Sequence, residues 1–463
     1  MNKEAVDKST RRSVLLVATL GSFLTPFMGS AVNVALPSMG ADLGMDSIEL
    51  TWVASAFLLS SAVGLIPAGR LADRVGRKRI LLIGVGAFTF ACLLCALAWS
   101  PTAMIVFRAL QGLGGSMIFA TGAAILVSVF PAGERGRALG LNAASVYLGL
   151  SLGPSLGGVL VRHLGWRSVF LSNVPLGLMI VAAIWWRVRA EWSGSPTGRF
   201  DFVGAGAYGV SLIALMYGFS RLTTGLLGFV LVAAAALGFG LFVYWEGRAA
   251  DPLFDVRLFR RNVVFALSNA AAFINYSATF AVGFLLSLYL QYVKGLDAQQ
   301  TGLLLIAQPI VMALVSPFAG RLSDRTEPRI VASLGMGLTA VGLGLLTLLS
   351  FEASELFIGA ALVILGCGFG LFSSPNTNAV MSSVEPRHFG VASATIATMR
   401  MTGQMFSMGL ATLALAVYVG RVKVTSGMAP QLLGGLRSSF AIFAALCCIG
   451  VVASLARGRV RPG

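Results

Sequence analysis

The stretch GRLADRVGRKR, residues 69–79, carries six charged side chains: five bases and the single acid Asp73. The chain on either side is almost wholly apolar, with ASAFLLSSAVGLIPA at 54–68 and ILLIGVGAFTFACLLCALAW at 80–99. Apolar runs of about 20 residues are long enough to cross a bilayer as helices. The stretch therefore predicts a short charged loop between two transmembrane helices.

The beginning of this stretch occurs twice in the chain. GRLADR at 69–74 returns as GRLSDR at 320–325, 251 residues later. LQGLG at 110–114 and LGCGFG at 365–370 repeat at nearly the same offset. Such internal repeats are typical of transporters whose substrate site lies between two halves. We therefore expect two homologous six-helix bundles with additional chain between them.

The composition is that of an integral membrane protein. Of the 463 residues, 57% are hydrophobic and only 11% are charged, whereas soluble domains have about 45–50% and about 25%. Fourteen apolar runs have spanning length, two of them, 202–220 and 225–245, in the chain between the bundles. The predicted fold class is all-α, with an N-terminal six-helix bundle over 1–190, an inserted transmembrane hairpin and cytoplasmic linker over 191–261, and a C-terminal six-helix bundle over 262–463.

The net charge of +16 is explained by membrane orientation. With the N-terminus inside, 25 of the 34 Lys and Arg residues fall in cytoplasmic segments and only seven fall outside. This bias satisfies the positive-inside rule. We therefore predict a multi-pass protein of the cell (inner or plasma) membrane with both termini in the cytoplasm, and no nucleic-acid partner.

Neither a cofactor nor a metal is expected. The five cysteines lie inside apolar runs, and CLLC at 92–95 has no His or acid nearby in the sequence, so ordinary packing is the simpler interpretation. The chain has two His residues and no acid in the middle of a span, which argues against a membrane-embedded enzyme. It also has no Walker-type loop, so ATP is not expected as the energy source.

Several ordered motifs resemble one family, the major facilitator superfamily, and within it the fourteen-helix drug:proton antiporters. GRLADRVGRKR is similar to the loop motif between helices 2 and 3, RALQGLGGS at 108–116 to the helix 4 motif, and GLSLGPSLGG at 149–158 to the helix 5 motif of antiporters. NVALP at 33–37 and WRSVFLSNVPLG at 166–177 resemble the end of helix 1 and the start of helix 6. The resemblance implies a monomeric secondary transporter that uses alternating access.

Two groups of residues are candidates for gating. An Asp near the cytoplasmic face can accept hydrogen bonds from a helix N-terminus and an Arg, worth about 1–3 kcal/mol, and the resemblance implies a latch that favours the outward-facing state. Its alternative is a solvated turn. In helix 5, proline would kink a glycine-lined face, and the resemblance implies a hinge and seal; its alternative is generic packing. The candidates are Gly69, Asp73, Arg74 and Arg77, and Gly149, Gly153, Pro154, Gly157 and Gly158.

A second group consists of polar residues inside spans that could line a substrate cavity. Arg108 and Arg400 are charges at membrane depth, where a charge usually faces a cavity and has a partner. Their alternatives are snorkelling to the interface for Arg108 and a structural polar pair for Arg400. Arg108 is also a candidate for proton coupling. The preferred amides, each of which could instead bond a neighbouring helix, are Asn33, Gln111, Asn275 and Asn376.

One position departs from the family pattern. Many members of the group carry an Asp in helix 1, five residues before the Asn of NVALP, and here that position is Met28. A membrane carboxylate is the usual means of coupling protons to cationic drugs. The leading hypothesis is export of an amphiphilic small molecule in exchange for protons. The alternative is an organic-anion or lipid transporter that uses Arg108 and Arg400 without such a carboxylate.

Overall fold

The computed structural model describes residues 8–188, 190–192, 200–249, 256–385 and 389–458. Within these ranges the chain is helical, without a β-strand; a single isolated bridge joins Asp46 and Lys423. The helices are α1 (Lys8–Leu43), α2 (Ser47–Val75), α3 (Arg77–Ala96), α4 (Pro101–Val129), α5 (Ala132–Leu164), α6 (Arg167–Leu171), α7 (Asn173–Arg187), α8 (Phe202–Arg221), α9 (Leu226–Glu246), α10 (Val256–Arg261), α11 (Val263–Thr279), α12 (Val282–Leu288), α13 (Ala298–Leu305), α14 (Ala307–Arg325), α15 (Pro328–Leu346), α16 (Glu355–Ser382), α17 (Phe389–Tyr418) and α18 (Ala429–Ala456).

Fourteen helical segments of the described chain are long and apolar enough to cross a membrane, which confirms the predicted number. Three of these segments are interrupted. One joins α6 to α7, one runs from α11 through α12 into the π-helical turn Tyr289–Val293, and one joins α13 to α14. The pair predicted at 202–220 and 225–245 corresponds to α8 and α9, which pack against each other.

The helices are grouped into two compact units. The first unit comprises Met1–Gly44 and Trp52–Phe200, and the second comprises Met45–Thr51 and Asp201–Gly463. In the first unit α1 packs chiefly on α5, and α3 on α4; in the second, α15 packs on α16, and α11 on α17. The hairpin α8–α9 belongs to the second unit, where the Tyr208 hydroxyl lies 2.9 Å from Thr402 Oγ1 on α17.

The internal repeat is visible in how the helices of each unit approach one another. A Cβ built on Gly84 of α3 would lie 3.1 Å from the carbonyl oxygen of Gly114 on α4. At the equivalent place in the second unit, a Cβ on Gly335 of α15 would lie 2.6 Å from the carbonyl oxygen of Gly368 on α16. Both helix pairs come close because they lack side chains where they meet, which is how small residues pack helices in lipid.

Candidate functional site

Arg108 lies inside the first unit, about two turns into α4. This helix begins at Pro101 because the side chain of Ser100 caps it, accepting a hydrogen bond from Ala103 N at 3.2 Å. The Arg108 side chain is only 1% exposed. Its Nε donates to the carbonyl oxygen of Val53 at 2.9 Å, and its guanidinium carbon lies 4.7 Å from the centre of the Phe57 ring. The charge is therefore enclosed between α4 and α2.

The structure brings Gln111 to Arg108. Arg108 Nη1 donates to Gln111 Oε1, and Gln111 Nε2 donates to Cys92 Sγ on α3 at 2.9 Å. Every one of these partners is neutral, and none of the ion pairs found among the described residues includes Arg108. Cys92 and Cys95 are buried free thiols, and no group of three or more potential metal ligands occurs in the described chain.

The other substrate candidates are distributed over both units. Asn33 lies in α1 of the first unit and Arg400 in α17 of the second, and both are partly exposed. Asn376, on α16, is 3% exposed; its Nδ2 donates to the Ser268 carbonyl oxygen at 3.0 Å and its Oδ1 accepts from Arg457 Nη1 at 2.9 Å. The Asn376 side chain thus bonds neighbouring helices.

Asn275 differs from these residues. It lies on α11 and is fully buried, and neither its Nδ2 nor its Oδ1 has a hydrogen-bond partner among the described residues. The side-chain hydroxyl of Thr279 bonds the backbone carbonyl oxygen of Asn275, at 2.8 Å, and not its amide. Buried side-chain amides normally have partners. Asn275 therefore carries unused hydrogen-bonding capacity inside the second unit.

The junction between α2 and α3 carries a compact polar network. Asp73 Oδ1 accepts from Arg77 Nε at 3.0 Å and from Arg77 Nη2 at 2.8 Å. Arg77 Nη1 donates to the Ala124 carbonyl oxygen at 3.1 Å and to Ser128 Oγ, both on α4. Arg74 is exposed. The network ties the end of α2 to α4, and it fits the expectation that Asp73 accepts hydrogen bonds from an Arg.

Among the described residues, no helix N-terminus donates a hydrogen bond to Asp73, and a different acid accepts the backbone hydrogen bonds at the start of α3. The side chain of Glu191 accepts from Lys78 N at 2.8 Å and Arg79 N at 3.2 Å, at the start of α3. The Trp192 carbonyl oxygen accepts from Arg77 N at 2.8 Å. Sequence reasoning missed Glu191, although it is the only acid among the basic residues that follow α7.

The glycines of the two gating groups differ in how closely they are packed. A Cβ on Gly69 would meet only Ala120 Cβ, at 4.0 Å, so Gly69 makes no close helix contact in this conformation. On α5, a Cβ on Gly149, Gly153 or Gly157 would lie 2.6, 2.7 and 2.9 Å from backbone atoms of α1. Pro154 and Gly158 are buried in the same continuous helix. The α5 glycines therefore form a close seam with α1.

Fourteen membrane-length helical segments in the described chain and a repeated helix-packing pattern define a polytopic membrane protein. The sequence matches the model of the Major Facilitator Superfamily over residues 18–408 and 269–463. The chain belongs to this superfamily. It is accordingly a membrane transporter and not an enzyme.

Among curated proteins, the chain is 32% identical to the multidrug resistance protein Stp of Mycobacterium tuberculosis, over 89% of this chain and 77% of that protein. It is 35% identical to the cephamycin export protein CmcT of Amycolatopsis lactamdurans, over 88% and 85%. Among solved structures, a bacterial homologue of the human lysosomal transporter Spinster, in an inward-facing and unoccupied conformation, matches with a TM-score of 0.73. That match covers 97% of both chains at 16% identity, so it supports the fold alone.

Proposed function

We propose that this transporter exports amphiphilic small molecules across the cell membrane by alternating access, in exchange for protons. Two relatives named for multidrug resistance and for export support the direction and the broad substrate class. The observation that carries the proposal is the buried amide of Asn275, which has no partner in the described chain. A substrate with a polar group on an apolar body would satisfy that amide and bury its remaining surface against apolar side chains.

An unpartnered amide inside a protein is costly. A buried polar group without a hydrogen bond costs about 1–3 kcal/mol. Proteins usually keep such an unbonded polar group only where a ligand or a water molecule forms a hydrogen bond with it for part of the time. Asn275 lies on α11, beside Tyr276, whose ring packs edge-on against Phe369 at 5.5 Å. Sites that bind amphiphiles are lined mainly by apolar and aromatic side chains with a few polar groups, and α11 carries both kinds of side chain.

Substitution of Asn275 tests this function. Asn275→Ala in proteoliposomes should lower the export of at least one fluorescent amphiphile by about tenfold, the equivalent of 1.4 kcal/mol. Ser277→Ala is the matched control, because its buried hydroxyl on the same helix bonds only the Phe273 carbonyl oxygen at 2.7 Å. Ethidium and carboxyfluorescein, tested side by side, report whether cations or anions are exported. Equal transport by Asn275→Ala and Ser277→Ala would refute a role for Asn275.

A second function is favoured by the surroundings of Arg108. Its partners in the described chain are a carbonyl, an amide and an aromatic ring. Met28 is fully buried at the position where many members of the drug:proton antiporter group carry an Asp. A buried cation with neutral partners favours a negatively charged or zwitterionic substrate. The second candidate is therefore an organic-anion or lipid transporter that uses Arg108 and Arg400. Flux that ignores an imposed pH gradient but is abolished by Arg108→Ala or Arg400→Ala would replace the antiporter proposal with this one.

The other residues predicted from the sequence have roles in the same cycle. Gly69, Asp73, Arg74 and Arg77 would form the cytoplasmic latch, and the Gly149–Gly158 segment of α5 the hinge and seal. Asn33, Gln111 and Asn376 would line the substrate route. The protein would act as a monomer with both termini in the cytoplasm, organised as bundles 1–190 and 262–463 around the insertion 191–261. Protease access to a C-terminal tag in right-side-out and inverted vesicles tests the orientation.

A further inference from the structure

Arg457 is a buried cation at the end of the last helix. It follows Ala456 of α18, and its side chain is 1% exposed. Its Nη1 donates to Ser268 Oγ at 3.1 Å and to Asn376 Oδ1 at 2.9 Å. Asn376 is itself held by the bond from its Nδ2 to the Ser268 carbonyl oxygen. The Nη1 end of the guanidinium is therefore held by hydrogen bonds to α11 and α16.

The opposite edge of the same guanidinium has no partner among the described residues. Nε and Nη2 are both buried, and neither makes a hydrogen bond there. These two nitrogens present N–H groups in a fixed fork that matches the two oxygens of a carboxylate or phosphate. Leaving charged donors buried and unbonded is costly. The arrangement thus provides a donor pair without its acceptor.

Two charged residues at the start of α15 act on Arg457 through space. Burial lowers the pKa of Arg457 to about 10, while the Glu327 carboxylate raises it and Arg329 lowers it. The side chain accordingly stays charged at neutral pH. Glu327 attracts the guanidinium without bonding to its Nε–Nη2 edge, so the fork keeps its capacity for an acceptor.

We propose that the Nε–Nη2 edge of Arg457, oriented by Ser268 and Asn376, binds an oxyanion, either a carboxylate or a phosphate group. The anion is supplied by a phospholipid headgroup or by a free ion. Because both nitrogens are buried here, binding requires neighbouring side chains to move aside. The site lies wholly within the second unit. It shares Asn376 with the proposed substrate route, but its test measures anion binding and not export, so the two proposals can fail separately.

Thermal unfolding of the purified full-length protein in detergent tests the site. Sodium phosphate, compared with sodium chloride at equal ionic strength, should raise the Tm of the wild type by about 3 °C or more. Arg457→Lys keeps the charge but loses the fork, and it should lose most of that shift. Arg321→Gln is the control, because Arg321 is an exposed base on α14, and it should keep the shift.

Native mass spectrometry with added phosphatidylglycerol distinguishes the two sources. A phospholipid retained by the wild type but lost in Arg457→Lys identifies a headgroup, whereas a phosphate shift without such a lipid identifies a free anion. The proposal is overturned if the wild type shows neither a phosphate-induced rise in Tm nor a retained phospholipid. It is also overturned if Arg321→Gln loses the rise in Tm as fully as Arg457→Lys. It is also overturned if phosphate raises the Tm of Glu327→Gln but not that of the wild type, because the Glu327 carboxylate would then bond the Nε–Nη2 edge of Arg457 in solution.

Discussion

Replacing Gly153 with alanine adds one methyl group where α5 meets α1. A Cβ at this position would lie 2.7 Å from the carbonyl oxygen of Phe27 and 3.0 Å from Ser30 Cβ. The Ser30 hydroxyl can rotate away, but the Phe27 oxygen belongs to the backbone of α1 and moves only with that helix. The methyl group therefore forces the two helices apart.

The size of the effect follows from two opposing contributions. Overpacking of a close interface costs about 1–3 kcal/mol. Alanine also favours the helix over glycine by about 1 kcal/mol, which offsets part of that cost. The net destabilisation expected for Gly153→Ala is about 0–2 kcal/mol, or a factor of up to about 30 in the folded-to-unfolded ratio.

Gly140 supplies the matched control on the same helix. No atom lies within 4 Å of a Cβ built at Gly140, so Gly140→Ala should be neutral or should stabilise by up to about 1 kcal/mol. Tryptophan fluorescence during denaturant unfolding in mixed micelles measures both variants. If Gly153→Ala is as stable as Gly140→Ala, the close seam between α1 and α5 does not exist in the membrane protein.

The same pair of variants separates packing from gating. If the glycines of α5 only pack, folded Gly153→Ala should export its substrate at the wild-type rate and differ in stability alone. If the seam moves during the cycle, the transport rate falls by more than the loss of folded protein explains. Export normalised to folded protein in proteoliposomes provides this second measurement.

Three further predictions concern α2 and its junction with α3. Asp73→Asn should weaken the network by about 0.5–1 kcal/mol because the pair is partly exposed, and a double-mutant cycle with Arg77→Gln should show that coupling; zero coupling contradicts the latch. Glu191→Gln should destabilise the start of α3 by about 0.5–1 kcal/mol at low salt. If the difference in Tm between this variant and the wild type is the same at about 1 M salt, Glu191 is not an electrostatic cap. Gly69→Ala should leave stability equal or higher, because Ala120 Cβ lies 4.0 Å away, and normal stability with lost export would show that glycine is needed in another conformation.

The fold could be predicted because membrane helices are specified locally. About 20 apolar residues must be helical in lipid, since every backbone polar group has to be satisfied within the segment. The fourteen spans were therefore countable from composition alone, and the repeat of GRLADR at 320–325 indicated the homologous halves. The breaks within three of these segments, such as the π-helical turn at Tyr289–Val293, left no equally clear pattern in the sequence.

The site was only partly predictable. Arg108 and Gln111 lie three residues apart on one helix, so their contact follows from helical spacing. Asn376 was a candidate for lining a cavity, with a bond to a neighbouring helix as the alternative, and its side chain bonds Arg457, 81 residues further along the chain. Glu191 reaches the start of α3 from 113 residues away. Contacts of this range depend on how helices pack, which no local pattern records.

By itself the sequence determined the membrane class, the number of spans, the repeat and the residues whose charge is costly in lipid, because each of these depends on composition or short-range spacing. Tertiary structure alone decided which polar groups are satisfied. Asn275 and Asn376 are both asparagines inside spans, yet within the described chain one has no side-chain partner and the other bonds Ser268 and Arg457. Hydrogen bonding requires atoms to meet within about 3 Å, and only the packed helices determine which atoms do.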